Sequence, residues 1–317
     1  MTGARTAPAP PRPAWAPPTT RPGRPEAALR SLELVVRRRL DGLLQGNHLG
    51  LLPGPGSEPG DARVYQVGDD VRLMDWAVTA RTTEPHIRDT AADRELETWL
   101  VMDLSASLDF GTVHCEKRDL AVAGASALAY LTRNGANRIG AVISTGDRTR
   151  RLPPGSGLPH IRSLIREIAD TPRAEQGVRG DLGAALEQLR RPRRRRGLVV
   201  VISDFLGPLD WARPLRALGA RHQLLSVEVL DRRDLELPDV GTVVLADPES
   251  GRQREVETTP RLRRDFAAAA AAHRAEVGRE LRRAGSAQLT LRTDSDWIAD
   301  IVRFVVTRKR QWSGGTR

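Results

Sequence analysis

Two segments of the chain are almost continuously apolar: residues 97–104, ETWLVMDL, and 197–205, GLVVVISDF. Unbroken apolar runs of this length mark strands covered on both faces, as in a parallel sheet flanked by helices. Residues 137–145 (NRIGAVIST), 222–230 (HQLLSVEVL) and 287–293 (AQLTLRT) read as three further strands. Between them the apolar positions move to helical spacing, over 115–135, 158–170, 181–191, 211–220 and the long 260–285, and 296–310 predicts a closing helix. Strand-helix alternation of this kind specifies an α/β fold, a doubly wound, mostly parallel sheet with helices on both faces.

Ahead of the first strand, Leu29, Leu32, Val36, Leu40 and Leu43 predict a helix over 26–46, stopped by Gly46. The stretch that follows is rich in glycine and turn residues and reads as an irregular segment of short strands and loops. Its GPGSEPG lacks the Gly-Lys-Ser/Thr ending of a phosphate loop. The expected organisation is a disordered Pro/Ala/Arg-rich tail over 1–26, a helix and β/loop segment over 27–93, the α/β domain over 94–310 and a flexible C-terminus over 311–317.

Composition narrows the class. With 317 residues, 39% hydrophobic and 28% charged, the chain fits a soluble globular protein. No run approaches the roughly 20 apolar residues that span a bilayer, and the N-terminus lacks the apolar core of a secretory signal, so a cytoplasmic protein without a membrane span is expected. Cys115 is the only cysteine, which excludes an internal disulfide and a cysteine-built zinc site. The net charge of +10 invites a nucleic-acid partner. However, arginine supplies nearly all of it, Lys117 and Lys309 being the only lysines, and the densest run, RRPRRRRG, carries no interleaved aromatics. It reads as a solvated connector, and no nucleic-acid partner is expected.

In open α/β sheets, ligands bind outside the carboxyl ends of the strands. Asp103 ends one apolar run and Asp204 another. On neighbouring strands, the two carboxylates would converge with the hydroxyls of Ser105, Ser107 and Ser203. Magnesium takes six oxygen ligands and keeps several waters; two carboxylates and two hydroxyls would hold it loosely, with a position left for a partner's acidic group. The plainer alternative is a capping turn, in which Ser107 or Asp109 caps the next helix and Asp103 accepts backbone amides.

The Asp-x-Ser-x-Ser of Asp103, Ser105 and Ser107 resembles the von Willebrand factor type A domain, whose metal-ion-dependent adhesion site adds a threonine on a second loop and an aspartate at a later strand end. Asp204 matches that aspartate. The threonine's place falls on Gly180 in GVRGDLGAAL, which removes one direct ligand and leaves Asp181, next door, as its substitute. The stretch RVYQVGDDVRLMDWAVTAR, running on into RELETWLVMDLSAS, resembles the signature of the bacterial domain-of-unknown-function 58 family, through Arg63, Tyr65, Gly68, Asp69, Asp70, Arg72, Asp75, Trp76, Ala80 and Arg81. The resemblance covers about residues 31–310. It implies a von Willebrand type A-like, non-enzymatic interaction module or adaptor. Such a protein works with a MoxR-type AAA+ ATPase in chaperone-like assembly or stress response, docking an acidic partner group through Mg2+ or Mn2+.

Read from the residues alone, Gly68-Asp69-Asp70 is a tight turn. Arg72, Asp75 and Arg81 are spaced for a buried ion-pair lattice around Trp76, and a partner-binding surface is the alternative. The enzyme alternative is a magnesium-dependent phosphohydrolase built on Asp103. It wants a second aspartate where Ser105 stands and a downstream lysine, a residue nearly absent here, and a serine nucleophile would need a base beside it. No enzyme is expected.

Overall fold

The computed structural model describes residues 13–19, 26–44, 62–66, 71, 74–88, 96–133, 137–146, 148–190 and 197–314. Helix α1 (Glu26–Leu44) precedes a small layer of β1 (Ala62–Val64), α2 (Trp76–Thr82) and β2 (His86–Arg88), with β1 and β2 antiparallel. The main domain then runs β3 (Glu97–Asp103), α3 (Lys117–Leu131), β4 (Arg138–Thr145), β5 (Arg148–Gly155), α4 (Gly157–Ala169), α5 (Leu182–Glu187), β6 (Gly197–Ser203), α6 (Ala212–Gly219) and β7 (Gln223–Leu230). A hairpin of β8 (Thr242–Ala246) and β9 (Gln253–Glu257) follows, then α7 (Pro260–Arg283), β10 (Ser286–Arg292) and α8 (Trp297–Gly314).

Six strands form one sheet in the order β10-β7-β6-β3-β4-β5. All pairings are parallel except β4 with β5, which is antiparallel and carries a register shift between Ile139 and Ala141. This is the doubly wound sheet expected from the sequence, and its strand order reverses between β3 and β6. Successive side chains of a strand point to opposite faces. Leu100 and Met102 of β3 therefore enter the core under α1, α3, α4 and α8, while Trp99 and Val101 enter the one under α5, α6 and α7.

The helix α3 is the central element, with all fifteen residues buried. Its small side chains allow close approach to the sheet: a Cβ added at Gly124 would lie 2.9 Å from Leu291 Cδ1 on β10. Helix α7 starts on Thr259, whose hydroxyl accepts from Leu262 N at 3.2 Å, with Pro260 in the first turn.

The termini differ from expectation. Residues 13–19 of the expected tail are placed: Trp15 packs edge-on against the His114 ring, and its carbonyl accepts from Trp297 Nε1 at 2.7 Å. Helix α8 continues to Gly314, past the expected start of a flexible end. GPGSEPG and the arginine run at 191–196 lie outside the described residues. No described helix is long and apolar enough to cross a membrane.

Candidate functional site

Because β3 and β6 are neighbours, Asp103 and Asp204 end up side by side at the carboxyl edge, at the reversal point of the strand order. Ser203 Oγ donates to Asp103 Oδ2 at 2.7 Å and accepts from Phe205 N at 2.9 Å, tying the two strand ends together. Asp103 Oδ1 accepts from Ser105 N at 3.0 Å. That bond turns the chain into a single 3-10 turn, Ala106–Leu108. The turn aligns Ser105 Oγ with Ser107 Oγ at 3.2 Å. Asp103, Ser105, Ser107 and Asp204 are all buried. Burial, and then the neighbouring Asp204 charge, hold the Asp103 carboxyl above the usual carboxylate range, against the bonds from Ser203 and Ser105.

The capping alternative accounts for only part of this loop. Ser107 lies inside the 3-10 turn, and Asp109 pairs with the buried Arg118 guanidinium at 3.1 Å. Arg118 also donates to the carbonyl of Thr171, which joins this loop to the end of α4.

Sequence reasoning missed Lys117. The first residue of α3, it is 1% exposed, and its Nζ donates to Asp204 Oδ2 at 2.9 Å and to Asp234 Oδ1 at 3.1 Å. Burial alone would lower its pKa, but the pull of Asp204 and Asp234 outweighs this and holds it above the ordinary lysine value. A lysine does therefore reach the strand-end site, though both carboxylates enclose it. The loop after β7 adds Asp231, whose carboxylate accepts from Thr112 N and Oγ1, Thr293 Oγ1 and Arg233 N at 2.6–2.9 Å. Burial opposes that charge, yet these bonds prevail and lower its pKa.

The 177–181 loop approaches from above. A Cβ at Gly180 would meet Ser105 Cβ at 2.9 Å and come 3.7 Å from Asp103 Oδ1, so Gly180 occupies a place at the site where a larger residue would fill the remaining space. Asp181 is not brought in: it is exposed, and its Oδ1 caps α5 by accepting from Ala184 N at 2.7 Å. On the other flank, Phe205 holds a left-handed φ of 53°, uncommon for a bulky residue. Its ring packs on Trp211 with centroids 5.0 Å apart, and its carbonyl hydrogen-bonds His273 Nε2 of α7 at 2.8 Å.

A further carboxylate was also missed. Glu249, at the tip of the β8–β9 hairpin, is half-buried. Desolvation, followed by the charges of Asp204, Asp103 and Asp247, pushes its pKa up to about 7. The rim is partly apolar: Phe110, Val113 and Leu206 are 41%, 38% and 40% exposed.

The signature residues divide. Gly68, Asp69, Asp70 and Arg72 lie outside the described residues. Asp75 Oδ1 caps α2, accepting from Ala77 N and Val78 N at 3.1 Å each. Trp76 is 71% exposed and Arg81 is exposed as well. The expected burial of Trp76 is therefore corrected: Asp75 starts a short helix that turns Trp76 outward, while the Arg72 corner of the expected lattice lies outside the described residues.

A model of the family described as protein of unknown function DUF58 matches residues 61–276, from the signature segment through the strand-end loops into α7. The chain belongs to the DUF58 family. The DUF58 chain is 63% identical over 284 residues to the uncharacterized protein Rv1480 of Mycobacterium tuberculosis, covering 90% of each. It is 49% identical over 70 residues to an uncharacterized protein in the moxR 3' region of Paracoccus denitrificans, covering 22% of this chain and 66% of that one. A solved structure, the von Willebrand factor type A from Catenulispora acidiphila, is similar at a TM-score of 0.34 and 18% identity, over 56% of this chain and 42% of that one. The fold here is a mostly parallel six-stranded sheet between two layers of helices.

Proposed function

We propose that this DUF58 protein is a non-enzymatic, cytoplasmic docking module that holds a divalent cation at its strand-end site and uses it to bind an acidic group of a partner. The single observation that carries the reading is the hydroxyl pair. An octahedral cation with bonds of about 2.0–2.1 Å sets neighbouring oxygens roughly 3 Å apart, and Ser105 Oγ and Ser107 Oγ stand 3.2 Å apart. Charge supports the fit as well. Asp204 and Asp234 share one ammonium, Lys117, and Asp103 stands beside Asp204 at the strand ends, so the cluster is short of positive charge. Mg2+ or Mn2+ would supply that charge and an electrophilic position for a carboxylate. Asp103, Ser105, Ser107 and Asp204 are the residues that would hold it.

The surroundings favour docking over turnover. The Lys117 ammonium is enclosed by two carboxylates, and Ser105 Oγ and Ser107 Oγ hydrogen-bond each other at 3.2 Å. Phe110, Val113 and Leu206 add exposed apolar surface to the rim, where a partner gains affinity on burial. The moxR neighbourhood of the Paracoccus relative supports a MoxR-type AAA+ ATPase as that partner, in chaperone-like assembly or stress response.

The test titrates Mg2+ and Mn2+ against the protein, with and without the MoxR-type ATPase of the same organism, following thermal stability and complex formation. The expected result is a cation-dependent rise in Tm and a cation-dependent complex, both lost in the Ser105→Ala/Ser107→Ala variant with the fold intact. A complex that forms equally in chelator and survives Asp103→Ala would overturn the cation bridge. Absence of any complex would overturn the ATPase partner.

A further inference from the structure

Strand β10, SAQLTLR, is one edge of the sheet. It carries no proline, no charge before its last residue, Arg292, and no break in its parallel register to β7. The devices with which edge strands turn other strands away are therefore missing from it. One hydrogen bond shows which backbone groups it leaves open: Thr293 N donates to the Leu230 carbonyl at 3.0 Å. Backbone groups of successive residues turn to alternate sides of a strand. Ala287, Leu289 and Leu291 thus turn theirs to β7, and Gln288 and Thr290 turn theirs outward. Among the described residues, none hydrogen-bonds those outward groups.

The same two residues are held firmly. Gln288 Nε2 and Thr290 Oγ1 donate to Glu228 Oε2 at 3.1 and 3.2 Å, and the buried Glu228 pairs with Arg274 of α7 at 3.1 Å. An edge fixed in this way loses little freedom when it gains a strand. Its polar-apolar alternation also makes β10 its own complement. Laid antiparallel on a second copy about its midpoint, Leu289 meets Leu289, Gln288 meets Thr290, Ala287 meets Leu291 and Ser286 meets Arg292. No like charges oppose each other. The backbone agrees with this register: the Gln288–Thr290 pairs fall on hydrogen-bonded positions and the Leu289 pair on the non-bonded one. A two-fold axis perpendicular to the sheet keeps Leu289 of both copies on the side of α8, and both Glu228–Arg274 pairs on the side of α7.

We propose that β10 is a dimerisation edge, through which two copies of the chain pair antiparallel and join their sheets across a two-fold axis at Leu289. Such an interface is isologous, so it closes at two copies. The inference is independent of the cation reading.

The experiment measures the oligomeric state of the full chain by sedimentation equilibrium up to about 100 μM. The variant Gln288→Lys/Thr290→Lys sets lysine against lysine in both outer pairs. The control Thr242→Lys/Gln253→Lys adds the same charge at exposed positions of the β8–β9 hairpin. Expected are a wild-type dimer, a dimer Kd raised at least about tenfold in the β10 variant with Tm kept, and no change in the control. The register is read by oxidation in a Cys115→Ser background, Cys115 being the only cysteine. Leu289→Cys, at the axis, should cross-link two copies, and Leu291→Cys, which faces Ala287, should not. A chain monomeric at the highest concentration would overturn the proposal and leave the edge to an extended segment of another protein. A dimer that both lysine variants keep equally would overturn the role of β10. Cross-linking through Leu291→Cys as fast as through Leu289→Cys would overturn the register.

Discussion

Replacing Lys117 by Met leaves two aspartates buried against an apolar side chain of similar length. Asp204 is 3% exposed, and the Asp234 side chain 8%. Removing one partner of a buried ion pair costs about 3–5 kcal/mol, because the remaining charge is neither solvated nor neutralised. That range is a large part of the total stability of a domain. The loss depends on pH in a definite direction. Burial already raises the Asp234 pKa against the pull of Lys117, and removing the ammonium raises it further, so the variant loses stability as pH rises from about 4 through the folded-state value. In the wild type the raised Lys117 pKa adds stability that is complete below about 10.4 and lost above it. Urea denaturation of both proteins at pH 5 and pH 8, in chelator, reads the difference. The expected deficit is about 3–5 kcal/mol at pH 8 and smaller at pH 5. The triple variant Lys117→Met/Asp204→Asn/Asp234→Asn, which removes all three charges, should recover most of it. A deficit under about 1 kcal/mol at pH 8, or one equal at both pH values, would refute the buried-cluster reasoning, since that is the range of an exposed pair.

Asp103→Asn, in chelator, should flatten the fall in stability between pH 4 and pH 8: the raised folded-state pKa means that ionising Asp103 opposes folding, and denaturation at several pH values checks it. Asp231→Asn should do the opposite, removing stability present above about pH 4 that the wild type loses on acidification, read by acid unfolding. Gly180→Ala should destabilise by about 1–3 kcal/mol, as its methyl must displace Ser105, and an unchanged Tm would contradict the close approach. Deleting residues 1–19 should cost about 1–3 kcal/mol by leaving Trp297 Nε1 without its acceptor, measured by thermal and urea unfolding.

What the sequence made legible follows from the range of the signal. The strands β3 and β6 were readable because burial on both faces demands continuous apolar residues, and the strand-end rule then brought Asp103 and Asp204 together. Lys117 was not readable as a site residue. At the start of a helix it resembles any solvated lysine, and its two partners lie 87 and 117 residues further on. Glu249 was hidden for a related reason: the β8–β9 hairpin is largely exposed, so selection for a core leaves no alternation to follow. Trp76 misled because charged residues around a tryptophan suggest a buried lattice, whereas Asp75 serves the backbone of its own helix. Trp15 sits in a proline-rich stretch whose composition argues against order, and it is held by packing on the core, by the His114 ring and by its own carbonyl.

The edge strand β5 has a consequence of another kind. Its sequence, RTRRLPPG, contains almost nothing that marks a strand, and sequence patterning passed over it. Yet arginines and prolines are what an outermost strand needs if its unpaired backbone groups are not to recruit a strand from another molecule. The features that hide β5 from a reader of the sequence also hide it from other chains. The sheet ends there, so contacts on that side fall to loops and side chains, where they can be made and released, and not to a backbone ladder that grows into an assembly that does not come apart.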